Sequence, residues 1–306
     1  MSAKSAIGIY KNGNRLLFRK KSNNILLVSF LIVVILVMLL VNVQYQIFPL
    51  HLNISHEKPD IRVLTFNIHS LGRNFESSKI AQLILDEDAD IVLLNEYNDT
   101  TSHEVDSLLK KRYTYTRMPN PKSKCSDVLY SKYPIDEFLK LSNKELRSST
   151  YKSVISFHGK HLRLFCCHLA SNNHKLDSLH VDDADSPIGK WEEHKIKYDS
   201  AQVQRIKEIE RICTHLDSMP HVPTLVFGDM NDIACTPTLQ PLLDRGYQNA
   251  WWKAGFGYGA TYKHGIVRLR IDHIMFSKML KAINAKVVDS KQLSDHNALV
   301  AEFKIE

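Results

Sequence analysis

"GDMND", residues 228–232, follows the apolar run Val222–Phe227 and sets Asp229 and Asn231 two positions apart where a buried strand should end. Gly, Asp and Asn are turn formers, so a turn is the plain explanation. In extended backbone, however, side chains at i and i+2 share a face. Two oxygen-bearing side chains on one face also suit a divalent cation or a phosphate. The rest of the chain has to choose between a turn and a site.

Working outward from this stretch, the same arrangement recurs. Asn67 ends "RVLTF", Glu96 ends "IVLLN" and His168 ends "RLFCC". Near the C-terminus, Asp272-His273 lies in "RIDHIMF", and Asp295-His296 in "LSDHNALV" precedes the last apolar run. One polar residue at a strand end needs no explanation, but so many at equivalent ends exceed what turns account for. If the ends converge, Glu96, Asp229 and Asp295 are hard oxygen ligands. Asn67 and Asn231 then add neutral oxygens or donors. Such a set, poor in thiols, selects Mg²⁺ or Mn²⁺ over Zn²⁺. A cation there neutralises a phosphoryl group, and a histidine oriented by a carboxylate activates water. A zinc site built on His161 and His168 lacks the helical His spacing such sites use.

Strand and helix patterns alternate around these residues. "IRVLTFN" reads as a strand, "SSKIAQLILDEDA" as an amphipathic helix and "DIVLLNEY" as a short buried strand, which implies an α/β layer arrangement. "SVISFHGKHLRLFCCHLAS" reads as a hairpin turning at His158-Gly159-Lys160. A helix is expected over His194–Leu216, and strands over Val222–Phe227, Arg270–Phe276 and Ala298–Ile305. The His-, Asp- and Ser-rich stretch Asn172–Glu193 is expected to be an exposed loop whose acidity disfavours long nucleic acid.

In this order and spacing, "TFNIH", "LNEY", "CHLAS", "GDMND", "RIDHI" and "SDHNAL" resemble the endonuclease/exonuclease/phosphatase superfamily, the deoxyribonuclease I-like proteins, over about residues 60–306. "GFGYGATYKHGIVRLRIDHI" is similar to the segment that leads into this motif in membrane-anchored bacterial members. The resemblance implies a four-layer α/β (α+β) sandwich, two mostly antiparallel sheets with helices outside, and divalent-metal-dependent attack of water on phosphorus. It implies that Asn67 and Glu96 serve the metal, with Asp295 close to it, and that His168 contacts phosphate. It gives Asp229 and Asn231 the positioning of nucleophile and phosphate, Asp272 the orientation of the terminal histidine, and His296 the role of general base. Asn172 and Arg270 are further candidates for phosphate contact. Asp127 departs from the family's usual small residue at its position.

The 306 residues, 44% of them apolar, are ample for a core, and the formal net charge is +7. Six basic residues with no acidic one lie in residues 1–24, leaving +1 for everything after them. Ile25–Val43, "ILLVSFLIVVILVMLLVNV", follows directly. Its length suits a membrane span, and the charge asymmetry predicts a cytoplasmic N-terminus with the remainder on the outer side. The expected organisation is therefore a basic segment 1–24, a transmembrane helix 25–43, a linker 44–59 and a catalytic domain 60–306. The basic pI is then a topology signal rather than a nucleic-acid footprint, and no feature calls for a protein partner. The five cysteines show no metal-finger spacing and read as buried thiols.

Two functions follow as expectations. The first is a membrane-anchored, Mg²⁺- or Mn²⁺-dependent phosphoesterase acting on a phosphodiester in nucleic acid, a lipid head group or a small molecule. The second is an inactive surface receptor for a phosphorylated ligand, which should lack one of Glu96, His168, Asp229, Asp272 or His296. None is missing.

Overall fold

The computed structural model describes residues 26–42, 47–49, 57–69, 76–119, 126–141, 149–172 and 186–306. The basic segment 1–24, most of the linker 44–59, Cys125 and residues 173–185 of the acidic stretch lie outside the described residues. The chain divides into two units, Met1–Ile47 and Phe48–Glu306.

The first unit holds helix α1, residues 26–42. At ~1.5 Å per residue its described residues span about 26 Å, against the roughly 30 Å hydrocarbon core of a bilayer. Among the described residues no helix is long and apolar enough to cross a membrane. The expected transmembrane helix, membrane partner and single-pass topology with an outward-facing domain are corrected on this finding. Ile25 and Val43, the two ends of the nineteen-residue apolar run, lie outside the described residues.

The second unit is built on two six-stranded sheets. Strands β1 (Ile61–Asn67), β2 (Ile91–Tyr97), β3 (Tyr115–Arg117), β4 (Ser126–Ser131), β13 (Leu280–Val288) and β14 (Ala298–Ile305) form one, in the order β13-β14-β1-β2-β4-β3. The other comprises β5 (Ile135–Lys140), β6 (Ser149–Phe157), β7 (Lys160–His168), β8 (Thr224–Asp229), β9 (Gln248–Asn249) and β12 (Asp272–Phe276), in the order β5-β6-β7-β8-β12-β9. A separate antiparallel pair, β10 (Tyr262–His264) and β11 (Val267–Leu269), precedes β12.

Side-chain alternation explains the layers. On β1, Ile61 and Val63 point into the core between the sheets, whereas Leu64 and Phe66 pack outward with helices α2 (Ser77–Asp86) and α3 (Asp99–Leu109). The second sheet repeats the scheme: Leu164, Leu225, Phe227 and Ile274 face inward. Phe165, Val226 and Met275 face outward, against helices α4 (Pro187–Asp217) and α5 (Gln240–Asp244). Strands buried on both faces lose the apolar/polar alternation of a one-sided sheet and read as continuous apolar runs. The result is helix, sheet, sheet, helix, and it agrees with the α+β sandwich expected; only the preceding membrane helix is removed from that expectation.

The expected hairpin is present: Phe157 pairs with Lys160, and His158 (φ 46°) and Gly159 (φ 76°) make the two-residue turn. Positive φ at both turn residues matches the twist of the flanking strands. One expectation shifts: the helix predicted from His194 begins at Pro187. Ser186 caps it, its hydroxyl accepting from the Gly189 amide at 2.9 Å, and proline suits the first position because its missing N–H has no helical partner. The end of the presumed loop is thus helical. Ile188 and Trp191 are exposed in this first stretch, so no apolar stripe announced it. Cys166, Cys167 and Cys213 are buried free thiols as expected, but Cys235 is exposed.

Candidate active site

Each sheet contains one parallel pair, β1 with β2 and β7 with β8. These four strands end in the polar residues singled out above, and the pairing sets His168 opposite Asp229. Antiparallel β12 enters beside β8 with Asp272 opposite Asp229. Parallel strands bring their C-terminal ends together, so polar residues there converge at one end of the sandwich.

Asn67 joins the two sheets: its Nδ2 donates to Glu96 Oε1 at 2.9 Å and to Asp229 Oδ2 at 3.0 Å. His296 Nδ1 donates to Asp272 Oδ2 at 2.8 Å, and its Nε2 lies 3.8 Å from Asp229 Oδ2. His168 Nε2 lies 3.8 Å from Glu96 Oε1. The Asn231 amide donates to Asp229 Oδ1 at 2.8 Å, and its side chain donates to the Leu169 carbonyl at 2.9 Å. Asp229, Asp272 and His296 are almost fully buried; Glu96 and His168 are partly open. Among the described residues, two groups have donor atoms close enough to hold a metal ion: Glu96, His168 and Asp229; and Asp229, Asp272 and His296.

The charges are strongly coupled. Burial and the neighbouring Asp272 push the Asp229 carboxyl upward. Burial disfavours charge on His296, yet Asp272, Asp229 and Asp295 overcome it and raise the ring to about 10. For His168, burial is likewise outweighed by hydrogen bonding to Asp127 and by the charges of Asp127, Asp229 and Glu96, which raise it to about 9. Burial opposes ionisation of Glu96, but hydrogen bonds from His69 and Asn67 hold it down at about 2. The carboxylates of the cluster thus favour the protonated forms of both imidazoles.

Three expected residues make their contacts at the edge of this cluster or away from it. Arg270 is buried and donates to the Tyr258 carbonyl at 2.6 Å. Asn172 accepts from Arg205 Nη1 at 2.9 Å. Asp295 borders the cluster through His69, whose Nδ1 lies 3.9 Å from Asp295 Oδ1.

Several residues escaped the sequence reading. Asp127 sits 3.6 Å from His168 Nδ1 and accepts from Asn95 Nδ2 at 2.8 Å and from the Ser149 hydroxyl. It forms a second Asp–His pair, foreshadowed only by a carboxylate opening an otherwise apolar strand. Asn95 ties the sheets together, its Oδ1 accepting from the Asp229 amide at 3.2 Å and its Nδ2 donating to the Cys167 carbonyl at 3.2 Å. Arg205, fully buried in α4, donates to the Ala170 carbonyl at 2.9 Å and lies 3.3 Å from Asp232, so one guanidinium braces the loops after β7 and β8. His69 donates its amide to Asn67 Oδ1 at 3.0 Å and sets Nδ1 3.2 Å from Glu96 Oε2.

A two-sheet α+β sandwich with a Glu/Asp/His cluster at the ends of its parallel strands defines a candidate metal-dependent phosphoesterase. The Endonuclease/Exonuclease/phosphatase family model matches residues 64–296, and the chain belongs to that family. A sequence search of curated proteins finds no significant match. Among solved structures, TDP2 from C. elegans is similar with TM-score 0.61 at 17% identity, over 79% of this chain and 74% of that one. D. rerio TDP2 complexed with single strand DNA product aligns with TM-score 0.58 at 14% identity, over 80% of this chain and 98% of that one. The 3'-5' exonuclease (NExo) from Neisseria meningitidis aligns with TM-score 0.57 at 18% identity, over 80% and 100%. These likenesses establish the fold and extend to animal and bacterial proteins alike. The expectation of a membrane-anchored bacterial subgroup is corrected to the family itself, because among the described residues no helix is long and apolar enough to cross a membrane.

Proposed function

We infer that this chain is a divalent-metal-dependent phosphoesterase that cleaves a phosphodiester by attack of water on phosphorus, with residues 60–306 as its catalytic domain. The observation that carries this reading is the seating of His296 between Asp272 and Asp229, with Glu96 and His168 on the far side of Asp229. Asp272 grips Nδ1 and orients the ring, so that Nε2 faces Asp229 and takes a proton from water. Asp229 and Asn231 align the water and the phosphate. His168, held by Asp127 and positively charged, faces the phosphate oxygens and supplies a proton to the leaving group.

The residues fit a hard divalent cation. Asp272 Oδ1 is buried without a hydrogen-bond partner, and the Asp229 carboxyl beside it is destabilised by that like charge. Glu96, Asn67 and Asp295 would hold the ion, Mg²⁺ or Mn²⁺ by its oxygen donors. When bound, such an ion neutralises phosphoryl charge.

The test is hydrolysis by the full chain of bis(p-nitrophenyl) phosphate, a single-stranded oligonucleotide, a plasmid, sphingomyelin and phosphoinositides. Each is assayed with Mg²⁺, with Mn²⁺ or with chelator, and with His168→Ala as the control. Turnover that needs metal and falls in the variant supports the reading, and the preferred substrate separates nuclease from lipid phosphodiesterase. TDP2 bound to a single-stranded DNA product and the NExo exonuclease share the fold, which puts nucleic acid among the first substrates to offer. A folded chain that binds metal and turns over none of these substrates overturns it.

A further inference from the structure

We propose that Thr261 is a positioning residue for the Asp272–His296 pair: its hydroxyl fixes Asp272, and its main chain fixes the segment that carries His296. The inference rests on the phosphoesterase reading and adds to it the residue that keeps the base aligned.

The pair needs such a tie because it spans both sheets. Asp272 opens β12 of the second sheet, whereas His296 precedes β14 of the first. A hydrogen bond of 2.8 Å between them tolerates little sliding of one sheet over the other. Thr261 is fully buried and bonded to both sides. Its Oγ1 accepts the Ile271 amide at 3.1 Å and the Asp272 amide at 3.0 Å, which fixes the start of β12. Its carbonyl accepts the Asn297 amide at 2.6 Å, and Asn297 Nδ2 donates to the Ala260 carbonyl at 3.1 Å.

Main-chain pairing carries this hold to His296. The bond from Asn297 to Thr261, and a second from the Lys263 amide to the Asp295 carbonyl at 2.8 Å, flank an antiparallel bridge between Tyr262 and His296. Two residues paired in this way exchange no hydrogen bond with each other, and their side chains stand at the closest cross-strand spacing. The Tyr262 ring accordingly meets the His296 imidazole edge-on, with centroids 5.1 Å apart. The imidazole is held at Nδ1 by Asp272 and on its flank by Tyr262, and Thr261 adjoins both holds.

The opposing reading is that Thr261 only fills core space, so that its shape matters and its hydroxyl does not act on the pair. Valine keeps the shape and removes the acceptor of two amides, whereas serine keeps the acceptor and loses a methyl group. The two readings therefore rank the variants oppositely: positioning makes serine the milder change, and space-filling makes valine the milder. A misplacement of about 1 Å can cost roughly 10²-fold in rate, so a loosened pair is readable in turnover.

The test uses the full chain with Thr261→Val and Thr261→Ser, each alone and combined with Asp272→Asn, and each checked for folding by thermal denaturation. On bis(p-nitrophenyl) phosphate with saturating Mg²⁺ or Mn²⁺, kcat should fall by roughly tenfold or more in Thr261→Val with KM nearly unchanged, while Thr261→Ser stays within about threefold of wild type. Added to Asp272→Asn, Thr261→Val should cost little more, because its effect passes through Asp272. Independently of turnover, the downfield NMR resonance of the His296 Nδ1 proton should shift or broaden in Thr261→Val and persist in Thr261→Ser. If the valine variant does not fold, Thr261→Cys takes its place, its thiol being a weak acceptor. Wild-type kcat in Thr261→Val, a loss carried by KM, a loss that adds in full to that of Asp272→Asn, or an unchanged Nδ1 proton would each overturn the assignment. If wild type shows no metal-dependent turnover, the phosphoesterase reading fails, and the Nδ1 proton alone decides the role of Thr261.

Discussion

His296 and Asp272 form a hydrogen bond of 2.8 Å between Nδ1 and Oδ2, while the second carboxylate oxygen of Asp272 is buried with no hydrogen-bond partner among the described residues. The carboxylate therefore commits one oxygen to orienting the ring and keeps the other in reserve as negative charge. Its own backbone amide is held by the Thr261 hydroxyl at 3.0 Å, so Asp272 does not adjust freely.

Asp272→Asn is the direct test of that arrangement. The carboxamide preserves shape but removes the charge and presents an N–H where an acceptor was. Turnover of bis(p-nitrophenyl) phosphate should fall by roughly 10²–10⁴-fold, the usual worth of a positioned acid or base, with KM changed little. A loss confined to a few fold would remove His296 from the role of base.

Asp127→Asn addresses the second pair. Hydrogen bonding to Asp127 and its charge are the largest influences raising His168. The His168 imidazole, followed by NMR, should titrate at lower pH in the variant, and turnover should fall with it. A resonance that keeps its wild-type titration would show that Asp127 serves only to tie Asn95 in place.

His273 sets an acid limit on stability. Its Nε2 donates to the Asp232 carbonyl at 2.9 Å, while Nδ1 accepts from Asn249 Nδ2 at 3.1 Å. The Asn249 oxygen accepts the Trp252 amide, which fixes the orientation of its carboxamide. The ring is thus held neutral; burial, then the charge of Arg270, depress it to about 4. Because this folded-state value lies below the unfolded one, stability is fully present above about pH 6.5 and is lost as pH falls toward 4, by up to about 3 kcal/mol. Urea unfolding across this range should show that slope in wild type and a weaker one in His273→Gln. Parallel curves would contradict it.

Gly228→Ala should be among the most damaging single-atom additions. Gly228 has φ 136°, and a Cβ there would meet the Cys167 carbonyl oxygen at 2.0 Å, across the β7/β8 pairing. Only glycine tolerates both the backbone and the approach. Thermal denaturation should show a loss of roughly 2 kcal/mol or more, and an unchanged midpoint would count against this packing.

How much of the site was legible can be judged residue by residue. Asn67 shares the parity of Ile61 and Val63, and His168 that of Leu164 and Cys166. Asp229 follows Leu225 and Phe227, and Asp272 precedes Ile274 and Phe276, in the same way. A two-residue period thus points all four inward once their strands are recognised. For Arg270 and Asn172 the sequence offered no direction, because charge and proximity to a motif carry none. Arg270 turns into the structure toward Tyr258, and Asn172 is taken by Arg205.

By itself the sequence determined the layers and the polar strand ends, because apolar periodicity and strand termination are local properties of the chain. It also determined the family, through motifs in order. Glu96 marks where that reach stops. Strand parity would turn it outward with Leu94, and only the left-handed kink at φ 54°, at a break in the β2/β4 register, directs it toward Asn67. The pairing of Asp127 with His168, and of His69 with Glu96 and Asp295, likewise belongs to the tertiary structure. Such relationships join residues distant in sequence through packing, and no local pattern encodes the distance between them.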